Sequence, residues 1–433
     1  MHLSAMVIAG PVSHSHAIWR NPAHDVRFLD LDFYVEIART LERGAFDLLF
    51  FADRLGISDR YGSDFEVGIR FGDQDATRLD PVPILGAIAA GTLRLGLGAT
   101  RSTTYDQPYH IAREFATLDH LSRGRAAWNV VTSMNDGEAL NFGLATHLAH
   151  DARYDRADEF VELAFALWNS WDADALVLDK AAGLYADPAR VHYVNHAGQW
   201  FSSRGPLNIP RSPQGRPVII QAGSSGRGKK FAARWAEVVF TIQQTYDLMQ
   251  AFYDDVKSAL PEFGRAPDDC KILTAVMPFV AATRAQAEED LARHNALIHP
   301  LVGLSTLSSH ANLDFSSQAL DARIDTSAAS GTQGLLAAAA RMSSESDLTL
   351  ADVGTLYGRS VLVPQIAGTA ADIADYLEGA FVRQACDGFV ISPAFLPDSF
   401  AEFVDAVVPE LQRRGLFRTA YEGPHLRDQL GLR

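Results

Sequence analysis

Two rhythms of apolar residues alternate along this chain almost from end to end. Short runs rich in β-branched and aromatic residues, at 6–9, 46–51, 93–99, 125–131, 218–222, 238–241, 272–280 and 388–392, read as buried strands. Longer stretches between them carry apolar residues three and four apart, the spacing of an amphipathic helix. In 30–43, Phe33, Ile37 and Leu41 share one face and Gly44 stands just past the end. Pro108 marks a helix start, with Ile111, Phe115 and Leu118 as its buried side. Further helices are expected over 153–171, 226–235, 245–260, 285–297 and 399–413, whereas 53–80 reads as a long polar loop.

Eight strands, each followed by a helical segment, require right-handed crossovers and a parallel sheet. At 433 residues this favours an α/β fold of the (β/α)8 TIM-barrel type over a doubly wound sheet with a helical domain attached. Two segments break the rhythm. Residues 172–215 carry Gly and Pro turns and read as a hairpin excursion; 298–365, rich in Ser, Ala and Gly, holds two helical patches. Long insertions of this kind build the carboxyl-end face of a barrel or a lid over it. The whole chain, 1–433, is therefore expected to be one barrel domain.

Composition narrows the partners. Apolar residues make up 47% and charged residues 21%, which suits a soluble globular chain rather than a disordered or rod-like one. With 38 basic and 53 acidic side chains the net charge is −15, so nucleic acid and anionic membrane surfaces are poor partners. No apolar run approaches the length of a membrane span, and the opening MHLSAMVIAG lacks the basic segment of a secretory signal. Cys270 and Cys386 fit no zinc or CxxC spacing. A reduced, cytoplasmic protein is expected.

Candidate chemistry lies at strand ends. Asp53 follows the run FDLLFFA and Thr100 follows LRLGLGA, both at the carboxyl ends of barrel strands, where such folds build their sites. Each could equally cap a turn. The stretch Gln221 to Gly228, QAGSSGRG, joins a strand to a helix. Its small residues, first-turn N–H groups and the Ser224 and Ser225 hydroxyls suit one phosphate, with Arg227 adding charge, although Gly and Ser are also ordinary turn residues. Gly96-Leu-Gly98 runs on without a third glycine, so the dinucleotide fingerprint fails. His147-x-x-His150, spaced as on one helical turn, and the scattered His14, His16 and His24 make no metal-ligand set, and no metal is expected.

Longer motifs carry a family resemblance. They are WRNP at 19–22, FDLLFFAD at 46–53, TTYDQPYHIAREFATLDHLSRGRAAWNVVTS at 103–133, NFG at 141–143, YDRADEFVELAFALW at 154–168 and RGPLNIPRSPQGRPVIIQAGSSGRG at 204–228. Together they resemble the nitrilotriacetate, dibenzothiophene-sulfone and pristinamycin-synthase branch of the bacterial luciferase-like flavin monooxygenases. The resemblance covers nearly the whole chain, is dense from 19 to 240 and loosens over 298–365, where substrate specificity would sit.

The resemblance implies a barrel that binds FMN without a covalent bond. It implies that the FMN arrives already reduced, from a separate NAD(P)H:flavin reductase. With dioxygen the enzyme would oxygenate a small organic substrate, with C–S or C–N cleavage in relatives, and assemble as a dimer or tetramer. By the same resemblance Asp53 and Thr100 match flavin-ring contacts, and His150 and Tyr154 match contacts beyond the fourth strand, the tyrosine towards the phosphate. Ser224 and Ser225 match the phosphate turn. His14 and His310 match places where relatives carry active-site histidines, which would act on protons because the imidazole pKa lies near working pH; the plain alternative for each is a surface-loop histidine. Phe50, Phe240 and Trp128 are candidates for a dry apolar wall. A deazaflavin-dependent oxidoreductase of the same fold and a non-catalytic flavin-binding protein are the rival readings. The density of the match opposes the first, and the retained phosphate turn and histidines oppose the second.

Overall fold

Among the residues that the computed structural model describes, 1–432, eight parallel strands close into a barrel. They are β1 (His2–Ile8), β2 (Leu48–Ala52), β3 (Gly96–Ser102), β4 (Ala126–Val131), β5 (Val218–Gln221), β6 (Val238–Thr241), β7 (Lys271–Val280) and β8 (Gly388–Ile391). Neighbours in the chain are neighbours in the barrel, and β8 returns to pair with β1, Ala5 opposite Ile391. Each expected strand falls on one of these. Strand β1 starts earlier than its apolar run because Ser4, buried in the wall, hides the pattern. Arg433, the end of the expected domain span, lies outside the described residues.

Alternation along each strand sorts side chains into two cores. Met6, Leu48, Phe50, Ile220 and Phe240 fill the barrel, and Leu426, Leu430 and Leu432 join them at its amino end. Leu49, Phe51 and Leu97 face outward onto Ile37, Leu41 and other helix residues. Trp128 belongs to this outer layer, packed among Phe115, Phe160 and Trp168. It is therefore no part of an inner wall, contrary to expectation; its neighbours Ala127 and Asn129 point the other way.

The outer helices are α1 (Leu31–Arg43), α2 (Pro81–Gly91), α3 (Pro108–Leu121), α4 (His150–Trp168), α5 (Gly226–Trp235), α6 (Tyr246–Ala259) and α7 (Arg284–Asn295). Over the barrel mouth come α8 (Pro300–Ala311), α9 (Gln333–Glu345) and α10 (Leu350–Ser360), followed by α11 (Ala370–Val382). Helix α2 was not foreseen. Its sequence PVPILGAIAAG has no polar face to set a period, and Asp80 caps it by accepting the Val82 N–H. The stretch 53–80 contains a short helix, Glu66–Phe71, and is pinned by buried Asp75, which accepts from Arg54 (2.6 Å), Ser58 (2.8 Å) and Arg78 (2.6 Å).

The first insertion forms two small antiparallel pairs, Leu176–Asp179 with Leu184–Ala186 and His196–Ala197 with Ser202–Ser203. The second holds three described helices, α8 to α10, rather than two patches. Helix α8 is buried throughout from Val302 to Ala311, so no polar stripe marks it in the sequence. Leu304, Leu307, Leu336, Val353 and Tyr357 give this layer its own apolar centre. No helix among the described residues is long and apolar enough to cross a membrane.

Candidate functional site

The carboxyl ends of the strands and the α8–α10 layer enclose a cavity of about 500 Å³. Asp53, Thr100, His150, Tyr154, Ser224, Ser225, His14 and His310, drawn from distant parts of the chain, all line it.

At one end the turn after β5 runs into α5. The Ser225 hydroxyl caps that helix, accepting the Gly228 N–H at 3.0 Å, and lies 3.3 Å from His150 Nε2. The Ser224 hydroxyl is half-buried and makes no hydrogen bond among the described residues. A Cβ at Gly223 or Gly228 would stand 2.8 Å from the Tyr154 hydroxyl, and one at Gly334 only 1.8 Å from Ser224 Oγ. Glycine lets tyrosine, turn and α9 close around one small space. The amino ends of α4, α5 and α9 meet here, and those of α4 and α9 have no side-chain cap. Their N–H groups and dipoles favour an anion.

The charge at this end comes from an unforeseen residue. Arg227 is committed elsewhere, bonded to Asp158 (2.5 Å) and Asp155 (3.0 Å). Arg153, one residue before Tyr154, lines the cavity, is 4% exposed and has no hydrogen-bond or ion-pair partner among the described residues. Burial lowers its pKa from the usual arginine value, against the weaker pull of Tyr154, Tyr105, Glu138 and Asp136. The sequence hint was an arginine in the first turns of a helix opening at a barrel mouth, which periodicity reads as surface.

At the other end Asp53 follows β2. Burial raises its carboxyl to about 6, against the pull of Arg78, the Arg54 N–H it accepts at 2.8 Å, and Arg101, 3.7 Å away. The Thr100 hydroxyl donates to the Phe51 carbonyl (2.8 Å) and receives the Asn129 amide N–H (2.8 Å). Any ligand here meets it only as an acceptor.

Neither candidate histidine is a surface residue. His14 Nδ1 lies 2.7 Å from Ser392 Oγ, and its ring stacks parallel to Phe240 at 6.4 Å. Its Nε2 has no partner among the described residues. His310 is held on both sides: Gln74 donates to Nε2 (2.7 Å), and Nδ1 faces the Tyr357 hydroxyl (2.5 Å). Burial pushes both rings down to about 3, aided at His14 by His16 and Arg78 and at His310 by Arg54. A pKa near working pH, expected from the residue type, does not hold in this dry setting; both rings are neutral. His147 stands before α4 and His150 opens it, so the pair does not share a helical turn. Between the two ends run Met6, Phe50, Phe240, Ile242, Leu335 and Val361.

Residues 12–385 match the model of the luciferase-like monooxygenase family. The chain is 54% identical over 440 aligned residues to a dibenzothiophene-sulfone monooxygenase of Rhodococcus erythropolis (strain XP), covering 100% of this chain and 97% of that one. It is 43% identical to nitrilotriacetate monooxygenase component A of Aminobacter aminovorans, covering 96% and 93%. Among solved structures it superposes on a riboflavin lyase with modified FMN and riboflavin at a TM-score of 0.92, with 34% identity over 100% of this chain and 96% of the other.

Proposed function

The chain belongs to the luciferase-like monooxygenases and is a flavin-dependent enzyme; on that footing we propose that its cofactor is FMN, received reduced from a separate NAD(P)H:flavin reductase, and that its substrate is a small apolar molecule with a carbon–sulfur bond, of the aryl sulfone class. Kinship with monooxygenases along the full length leaves the deazaflavin-dependent and non-catalytic readings without support.

The observation that carries the proposal is a cavity with a single-phosphate cradle at one end and dry apolar walls beyond it. Ser224, Ser225, Tyr154 and the free Arg153 would hold the phosphate, with His150 steadying Ser225. Asp53 and Thr100 would border the ring. One phosphate fits, and no second glycine-rich turn offers a place for an adenosine diphosphate. Bound there, reduced flavin supplies the electrons that activate dioxygen.

The chain's own residues do the rest. The α8–α10 layer keeps water away from the reacting centre. His14, aligned by Ser392, presents its free Nε2 to the cavity, where a neutral imidazole offers one hydrogen bond to the reacting group. His310, tied to Gln74 and Tyr357, shapes the same wall from the lid side. Arg54 and Arg78 share the single carboxylate of Asp75, which holds them within the protein rather than offering them to a polycarboxylate. The apolar residues suit a flat hydrophobic substrate instead, in line with the sulfone relative. Cytoplasmic residence, one functional domain over 1–433 and assembly as a homodimer or tetramer belong to the same reading; the 176–186 hairpin exposes Leu176, Leu178, Leu184 and Tyr185.

The test combines purified protein, FMN, NADH, dioxygen and dibenzothiophene sulfone, with and without an added flavin reductase. Oxygenated product should appear only with the reductase, including across a dialysis membrane that passes FMN. Rapid NADH oxidation by the protein alone, or no product with the reductase present, overturns the proposal.

A further inference from the structure

A relay of hydrogen bonds across β2, β3 and β4 has only one possible direction. The Phe51 carbonyl can only accept. Thr100 Oγ1, 2.8 Å from it, has one proton and gives it there. That same oxygen is 2.8 Å from Asn129 Nδ2 and, with its proton spent, must accept. The Asn129 amide is thereby prevented from flipping: its NH2 faces Thr100 and its carbonyl faces away. Parallel pairing sets Thr100 opposite Asn129, so the two side chains lie side by side on the inner face.

The consequence is a buried acceptor left without a donor in the cavity wall. Asn129 is 4% exposed and lines the cavity, and its Oδ1 is buried without any partner among the described residues. One strand further on, Gln221 Oε1 is likewise buried, unpartnered and at the cavity wall. Leaving such an oxygen unbonded is costly, so the wall is built for a ligand that brings N–H or O–H donors.

We infer that Asn129 is a redox-selective cofactor contact, whose locked carbonyl accepts an N–H that the reduced isoalloxazine ring carries and the oxidised ring lacks. The inference rests on the flavin reading above. An oxidised ring presents a bare nitrogen lone pair at that position, and a fixed carbonyl repels it; a freely rotating amide would turn its NH2 inward and bind both forms. Locking by Thr100 and Phe51 therefore supplies the discrimination. It lets the cavity take up the reduced form from a reductase and release the oxidised form.

The experiment is anaerobic measurement of the dissociation constants of oxidised and reduced FMN for the wild type, Asn129→Leu and Thr100→Val, with melting temperatures as a control on folding. Wild type should favour reduced FMN. Asn129→Leu should weaken the reduced form about tenfold more than the oxidised form. For a two-electron couple this makes the potential of bound FMN about 30 mV more negative. Thr100→Val, which frees the amide to turn, should move the ratio the same way, and it serves as the readout should Asn129→Leu fail to fold. An unchanged ratio, or equal weakening of both forms, overturns the assignment while leaving FMN binding intact. Failure of the wild type to bind either form would instead overturn the cofactor reading itself.

Discussion

Arg153 should trade stability for binding, and replacing it by methionine separates the two. Arg153 is buried, its Nε unpartnered and its guanidinium without an ion pair among the described residues, and an unpaired interior cation costs several kcal/mol after relaxation. Methionine keeps much of the apolar stem and removes that cost. If even 1–2 kcal/mol is recovered, the cofactor-free protein gains roughly 1 °C in melting temperature for each kcal/mol at this size. Binding should change in the opposite direction. A charge-assisted hydrogen bond to phosphate contributes about 1.5–3 kcal/mol, so FMN should bind roughly ten- to a hundredfold more weakly. Riboflavin, which has the ring and no phosphate, is the control. The assay is paired anaerobic titration of FMN and riboflavin beside thermal melts without ligand. Equal weakening of both ligands, or a lower melting temperature with unchanged FMN affinity, would refute the reasoning and return Arg153 to a structural role.

Three further outcomes are expected. Ser224→Asp, which places a carboxylate in the cradle, should weaken FMN by about tenfold or more while leaving the ligand-free melting temperature near wild type; unchanged affinity rules the cradle out. His14→Ala should lower turnover by about 10²–10³-fold, the scale of one lost hydrogen bond at the reacting centre, with FMN affinity spared, and simultaneous assay of product and hydrogen peroxide shows whether oxygen chemistry stalls or leaks. The fold itself should weaken in mild acid. Burial depresses His14 and His310 to about 3 and His16, His24, His147 and His294 to about 4. Their contribution is complete above the unfolded value near 6.5 and is lost as pH falls towards the folded values, by up to about 1.4 kcal/mol per histidine per pH unit. Asp53, raised to about 6, takes up a proton in the native state over the same range and offsets part of this. A melting temperature that stays flat or rises from pH 6.5 to 4.5 contradicts the account.

What the sequence made legible, and what it hid, divides along a physical line. Strands declared themselves because a barrel wall buries both faces, so apolar runs such as 46–51 stand out whatever surrounds them. Asp53, just past β2, could be placed at the barrel mouth from chain order alone; Thr100, expected to follow its strand, lies inside β3, which runs on to Ser102 and still brings it to the cavity. Helices escaped where no polar stripe sets a period: α2 is apolar nearly all round, and α8 is buried along its length. Which way a side chain points depends on register between strands, and for that reason Trp128 was assigned to the wrong face while Asn129, its neighbour, went unnoticed. The state of a group depends on contacts remote in the chain. His310 is neutral because Gln74, Tyr357 and the surrounding lid enclose it, and Arg227 is spent because Asp155 and Asp158 face it from α4.

The same division explains how the site works as a whole. The proposed cofactor contacts sit near strand ends and helix starts, where backbone geometry fixes them to the scaffold. The proposed substrate wall is borrowed from the 298–365 insertion, whose helices carry their own apolar centre. Gly334 of α9 rests on Ser224 so closely that no side chain would fit between them. The proposed phosphate turn therefore forms part of the floor on which α9 packs, and on that reading changes in substrate preference can accumulate in α8 to α10 only so far as that contact is kept. Exchanging cavity-facing residues of α9 such as Leu335 and Ala338 should alter which substrate fits while leaving FMN affinity alone, whereas any side chain added at Gly334 must disturb both together.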